Sequence, residues 1–409
     1  MTGGASPASV EGVFREEHGR LLAALVRRFG DLDLAEEVAS EAIEIAVARW
    51  PVDGVPPNPG AWLMTTARRR AVDRLRRNRA YAERLAVLRV EAERADPAPA
   101  ADVGDGLPDD RLQLFFTCAH PALPAEDRVA LTLRCLAGMT TPEVARAFLV
   151  PVDTMAKRIT RAKKKIREAR IPFRVPGADE LPERLPGVLQ VVYSVFTEGY
   201  AAQRPDMAEE AIRLARILRG LMPSEREVTG LLALLLLIHA RREARGDADG
   251  ALVLLEEQDR RRWDRAMIEE GTRLVEVALT GGRPGPYGVQ AAIAALHDEA
   301  ADLAATDWPQ IVALYEVLHA LLPSPVVALN RAVAVAMRDG AEAGLALLDE
   351  LADEPLLRGY HPYSTARAEL LHRLGRDAEA ASAYRRALEL AGTEPERALL
   401  RRKLSAIED

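Results

Sequence analysis

Apolar positions recur at helical spacing along nearly all of this 409-residue chain, and strand-like alternation between turn signals is almost absent. The pattern predicts an all-α protein. Val13, Phe14, Leu21, Leu22, Leu25, Val26 and Phe29 form one stripe, and Leu34, Val38, Ala42, Ile45 and Ala46 form the next. A Pro/Gly-rich break, PVDGVPPNPG at 51–60, precedes a third helix whose apolar face is Leu63, Ala67, Ala71 and Leu75. Punctuation along the chain then sets the expected organisation. A first helical domain covers 10–90, and a small, acidic, Pro/Gly-rich linker covers 91–106. A second compact helical domain covers 107–172. A Pro-rich joint follows at 173–186, and a long helical array runs over 187–409.

The segment TTPEVARAFLVPVDTMAKRITRAKKKIREAR, 140–170, is the most informative. Thr140 or Thr141 as cap, Pro142 near the first helical position and Glu143 in the first turn predict a short helix over 141–148. Leu149, Val150 and Pro151 interrupt it, and Asp153 with Thr154 opens a second helix. There Thr154, Lys157, Arg158 and Arg161 share one face. Met155, Ile159, Ala162 and Ile166 make the opposing apolar stripe. A short helix, a turn and a basic amphipathic helix predict a helix-turn-helix, whose second helix suits the DNA major groove.

Charge sharpens this picture. The net charge is −7. Residues 1–174 carry 28 Lys and Arg against 24 Asp and Glu, whereas 175–409 carry 27 against 38. The front half therefore suits a nucleic-acid partner and the rear half repels phosphate. Helix 62–77 adds basic residues at Arg68, Arg69, Arg70, Arg74, Arg76 and Arg77, with Asp73 placed to pair within the helix. Two basic helices on either side of a linker predict two separated contacts with duplex DNA.

Other chemistry is thin. Cys118 and Cys135 support neither a disulfide framework nor a zinc cluster, so a reducing cytoplasm is expected. No phosphate loop, dinucleotide fingerprint, zinc-protease motif or nucleophile elbow is present, so neither catalysis nor a metal or other cofactor is expected. Cys118-Ala-His120 reads as a buried helix end. The longest apolar run, 230–238, is too short to span a membrane, and the N-terminus lacks a signal-peptide pattern. The run RRRW at 260–263, flanked by Asp259 and Asp264, suits either a contact network within the array or a partner surface.

Two resemblances emerge from these motifs. The segment ARAELLHRLGRDAEAASAYRRALEL, 366–390, is similar to the tetratricopeptide pattern of small residues where paired helices meet. A weaker copy lies 37 residues earlier, and a looser one sits around 246–252. The second resemblance carries more. DLDLAEEVASEAIEIAVARW at 31–50 and WLMTTARRRAVDRLRR at 62–77 resemble region 2 of the extracytoplasmic-function (ECF) sigma factors, and 107–170 resembles region 4. VLQVVYSVFTEGY at 188–200, QDRRRWDRAMIEEG at 258–271 and PYGVQAAIAALH at 286–297 resemble the tetratricopeptide-like extension of one ECF subgroup.

The resemblance implies binding to core RNA polymerase and promoter DNA. Asp33, Glu36, Glu37 and Glu41 would face the clamp helices of the β′ subunit, and region 4 would meet the β flap. Asn58 and Trp62, with Arg68, Arg69, Arg70, Arg74 and Arg77, would open and hold the −10 element, although Trp62, at a helix start, is first a core candidate. Thr154, Lys157, Arg158, Arg161 and Lys164 would contact the −35 element. The array would regulate in cis and offer a surface to a further protein. Ser40 and Arg69 depart from residues common in region 2, so promoter sequence does not carry over. A one-component activator with a sensing tail explains 107–170 but leaves 10–80 without a role.

Overall fold

The structure is a computed structural model that describes residues 7–86, 110–148, 150–201, 204–246 and 252–408. The expected linker at 91–106 and most of the 246–252 repeat lie outside the described residues. The regular elements among the described residues are helices, and the chain divides into two compact units, 1–195 and 196–409.

In the first unit α1 (Pro7–Phe29), α2 (Leu32–Asp53) and α3 (Pro59–Ala86) pack together. Asp31 starts α2: its carboxylate accepts from the Asp33 and Leu34 backbone N–H groups at 2.9 and 3.1 Å. Gly54, at φ 83°, closes the helix by donating to the Trp50 carbonyl. Leu21, Leu22, Leu25, Val38, Ala42, Leu63, Ala67 and Ala71 bury as their spacing predicts, whereas Leu75 is exposed.

Four helices follow: α4 (Arg111–Cys118), α5 (Ala125–Cys135), α6 (Thr141–Ala147) and α7 (Val152–Glu168). At the start of α6 the Thr140 hydroxyl accepts from the Glu143 N–H, and the Glu143 carboxylate accepts from the Thr140 N–H at 2.7 Å, a reciprocal cap. Helix α7 begins at Val152 with Pro151 as its cap, one residue earlier than the sequence suggests. Its stripe of Met155, Ile159 and Ala162 is buried. The Pro-rich joint is partly helical, because α8 (Leu181–Ala201) accommodates Pro186 in its interior. Cys118 ends α4 fully buried, and the His120 ring accepts from the Ala122 N–H at 3.1 Å.

The second unit is built around α10 (Arg226–Ala240), which is apolar all round and buried from Val228 to Leu237. It packs against α9 (Pro205–Leu221), α11 (Arg265–Leu279) and α12 (Pro286–Glu299). Gly230 meets the backbone of Gly288, where a Cβ would lie 2.6 Å from the Gly288 nitrogen, so α10 and α12 cross almost backbone to backbone. The Glu227 carboxylate caps α12 from outside, accepting from the N–H groups of Tyr287 and Gly288 at 3.0 and 3.1 Å. The RRRW run is an internal network. Arg260 donates to the His297 and Ala300 carbonyls at the end of α12, and Arg241 and Arg260 lie over the Trp263 ring.

Arg241 also binds Asp298, whose side chain is wholly buried, at 2.6 Å. Burial raises the Asp298 carboxyl to about 6 and lowers the His297 imidazole to about 4. Asp298→Ala strands the Arg241 charge, and a loss of ~3–5 kcal/mol is expected, read as a fall in thermal midpoint of the full chain.

Beyond α13 (Trp308–Leu321) come two hairpins, α14 (Pro325–Asp339) with α15 (Ala341–Glu350), and α16 (His361–Arg373) with α17 (Asp377–Leu390), then α18 (Glu394–Glu408). Gly340 and Gly375, at φ 104° and 72°, supply the left-handed turns inside the hairpins. A Cβ on Gly344 would clash with Ala336 at 2.3 Å, and Ala368, Ala380 and Ala387 are fully buried. Small residues therefore line the helix crossings, as the 366–390 pattern predicts. Among the described residues, no helix is long and apolar enough to cross a membrane.

Candidate functional site

The two basic helices present different surfaces. On α7, Thr154, Lys157, Arg161 and Lys164 are exposed on the side away from the buried stripe. Arg161 is anchored: it donates to Asp127 at 3.0 Å, and that carboxylate on α5 is 2 % exposed. This ion pair raises the Arg161 pKa further. Arg158 is half-buried and bonds Glu126 at 2.7 Å, so it is held against α5 rather than projecting freely. Lys164 sits 3.6 Å from Glu168, one turn on. The surface most open to a duplex is thus Thr154, Lys157, Arg161 and Lys164.

On α3, Arg69, Arg70 and Arg77 are exposed and Arg68 is half-buried. Arg77 donates to the Asp73 carbonyl at 3.3 Å. Asn58 caps the helix, its side-chain oxygen accepting from the Ala61 N–H at 3.0 Å. Trp62 is half-buried and sets its ring edge-to-face on Trp50, with centroids 5.4 Å apart. It therefore packs on one side and is reachable on the other.

The acidic residues of α2 face two ways. Glu37 and Glu41 pair with α3: Arg74 bonds Glu37, and also Glu41 at 3.3 Å, while Arg70 approaches Glu41 at 3.7 Å. Four residues expected to meet two different partners thus meet each other, on a surface where such pairs are weak. Glu36, expected at the surface, is only 8 % exposed. Its carboxylate meets Lys163 of α7, Arg134 of α5 at 3.6 Å and the Cys135 thiol at 3.8 Å. A hydrogen bond with Cys118, and burial, hold that thiol well above its usual range, so it remains a neutral donor. Asp33 pairs with Lys163 at 3.3 Å and with Arg167. Arg134, Lys163 and Arg167 carry no local signal as partners, because their separation along the chain hides the contact.

The described parts of 10–90 and 107–172 therefore pack into one unit rather than standing apart. Gly19 admits the Leu136 carbonyl, which would lie 2.9 Å from a Cβ there. Gly138, at φ 72°, lies against the His18 ring. Arg27 bonds Asp110 at 3.0 Å. A half-open cleft of about 300 Å³ lies along this contact, walled by Val26, Leu114, Lys163, Ile166, Arg170 and Phe173 among others.

Comparison with known proteins agrees with this layout. Residues 13–81 match sigma-70 region 2, and 116–166 match sigma-70 region 4. Residues 184–279 match a family of unknown function, DUF6596. An uncharacterized protein of Rhizobium meliloti (strain 1021) is 46 % identical over 395 residues, covering 94 % of this chain and 92 % of that protein.

Proposed function

Because the chain belongs to the sigma-70 family, as an ECF-type sigma factor with region 2, region 4 and a further C-terminal domain, we propose that it directs core RNA polymerase to specific promoters in the cytoplasm. In this reading region 2 opens the −10 element with the 54–58 loop, the first turn of α3 and the arginines of that helix, and region 4 reads the −35 element through α7. The observation that carries it is the presence of both regions, in this order, with a polar face of α7 left open. Opening requires a base held outside the stack and cations along the backbone. Trp62, Asn58, Arg69 and Arg77 supply those chemistries on one loop and helix. Polymerase docking is assigned to Asp33, Glu36, Glu37 and Glu41 against the β′ clamp helices, and to region 4 against the β flap.

Transcription with purified core polymerase on a mapped promoter tests the reading. The expected result is a discrete start site only when this chain is added. A chain that binds promoter DNA without making the polymerase start would instead be a one-component activator.

The C-terminal helical array is assigned a regulatory role in cis. Its hairpins, crossing on Gly344, Ala336 and Ala380, support a tetratricopeptide-like reading, and such arrays offer a groove to a second protein. Truncation after Val195 preserves the part of α8 that joins the first unit, where Arg184 donates to the Phe116 carbonyl at 3.0 Å. At matched protein levels, truncation is expected to change promoter output by ~5-fold or more, the usual span of a coupling between sites. Equal output from both folded chains would remove the array from regulation.

A further inference from the structure

We propose that Cys118 and Cys135 form a modification site inside region 4, where a small hydroperoxide converts the two thiols into a disulfide that low-molecular-weight thiols reverse.

Three observations carry it. The first is placement. These are the two cysteines of the chain, and each closes a helix, Cys118 ending α4 and Cys135 ending α5. Both are free and fully buried, and their thiols are hydrogen-bonded to each other. Sulfurs already in contact need little side-chain movement to reach bonding distance. The second is a proton acceptor. The Cys135 thiol donates at 3.8 Å to Glu36, a buried carboxylate that is also paired with Lys163. The third is access. Cys118 lies three residues before the exposed Pro121 and Ala122. The cleft of about 300 Å³ is walled by Thr117, by Lys163 and by Leu114, which is one turn before Cys118 on the same face of α4. Hydrogen peroxide is little larger than water, so a local opening at this edge admits it.

Cys118, as the thiolate, attacks one peroxide oxygen. The O–O bond breaks, Cys118 becomes a sulfenic acid, and the hydroxide released takes up the proton that Cys118 gave. Cys135 then attacks the sulfenic sulfur. The S–S bond forms, the S–O bond breaks, and the Cys135 proton passes through Glu36 to the departing hydroxide. Two thiols give up two electrons and two protons, and the peroxide leaves as two waters. Burial and its bond to Cys118 keep Cys135 protonated, so Cys118 is the first nucleophile.

Between the two ends of the bridge lie Glu126 and Asp127, which hold Arg158 and Arg161 of α7. Tying the end of α4 to the end of α5 therefore reaches the basic helix through its seat. It also removes the hydrogen that Cys135 gives to Glu36.

The experiment treats the folded full chain, Cys118→Ala and Cys135→Ala with hydrogen peroxide, and reads free thiols, intact mass and a non-reducing peptide map. The expected wild-type product is a monomer lighter by two hydrogens, with the Cys118 and Cys135 peptides linked and both thiols restored by dithiothreitol. Cys135→Ala should stop at the sulfenic acid, trapped by dimedone. Cys118→Ala should lose its remaining thiol ~10-fold more slowly than the wild type loses its pair. The wild-type map decides alone if either variant unfolds. Thiols that stay free in the folded wild type, or that disappear only into intermolecular dimers or sulfinic acids, overturn the proposal.

Discussion

Glu37→Lys/Glu41→Lys should lose association with core polymerase by ~100-fold or more and, with it, promoter-specific initiation, while the chain stays folded. The size follows from what charge reversal does at a desolvated interface, where a misplaced like charge costs several kcal/mol. Folding should suffer little. The two glutamates are 55 % and 31 % exposed, and their pairs with Arg74 and Arg70 are surface pairs worth ~1 kcal/mol or less. Glu36 is left out on purpose: reversing it would bury a cation beside Lys163 and Arg134 and confound docking with misfolding. Pull-down with core enzyme, alongside a melting curve, checks the prediction. Undiminished capture by the folded variant would move the docking surface elsewhere.

The next largest effect is expected on α7. Lys157→Ala and Lys164→Ala together should weaken −35 binding by a similar factor on all sequences and reduce the salt slope by ~2. Arg161→Ala should behave differently, because the residue does two jobs. If it reads a base, ~1–3 kcal/mol of discrimination disappears at one promoter position. It also leaves Asp127 buried without its cation, at a further cost to region 4 of ~1–3 kcal/mol. Pairing Arg161→Ala with Asp127→Asn removes the second cost and isolates the first. Binding titrations over a salt series, on wild-type and point-substituted promoters, separate the two. Equal loss at every base for all three residues would assign α7 to backbone contact alone.

Much of this was legible in the sequence because it is local. The reciprocal cap at Thr140 and Glu143, the buried stripe of α7, and the small residues of the late hairpins all depend on neighbours within a turn or two. The burial of Glu36 was not legible. On α2 it has the periodicity of a surface carboxylate, and only Lys163, some 127 positions away, makes it a core group. Arg158 illustrates the same limit. Helical spacing puts it on the face of Thr154 and Lys157, yet Glu126 holds it back from the open surface. The mutual pairing of α2 acids with α3 arginines also escaped, since helical spacing gives the face of a residue but not what stands opposite.

The four tryptophans give the protein an optical readout of its own. Trp50 and Trp62 stack edge-to-face beside the loop assigned to strand opening, and none lies between 63 and 262. Trp263 lies beneath two guanidinium groups and Trp308 against His297, so both belong to the second unit. Trp263→Phe with Trp308→Phe would leave all remaining indole emission in region 2, 5.4 Å apart and within exciton-coupling range. If a promoter base does reach Trp62, its arrival should quench that emission during open-complex formation, and an unlabelled chain would time the melting step directly.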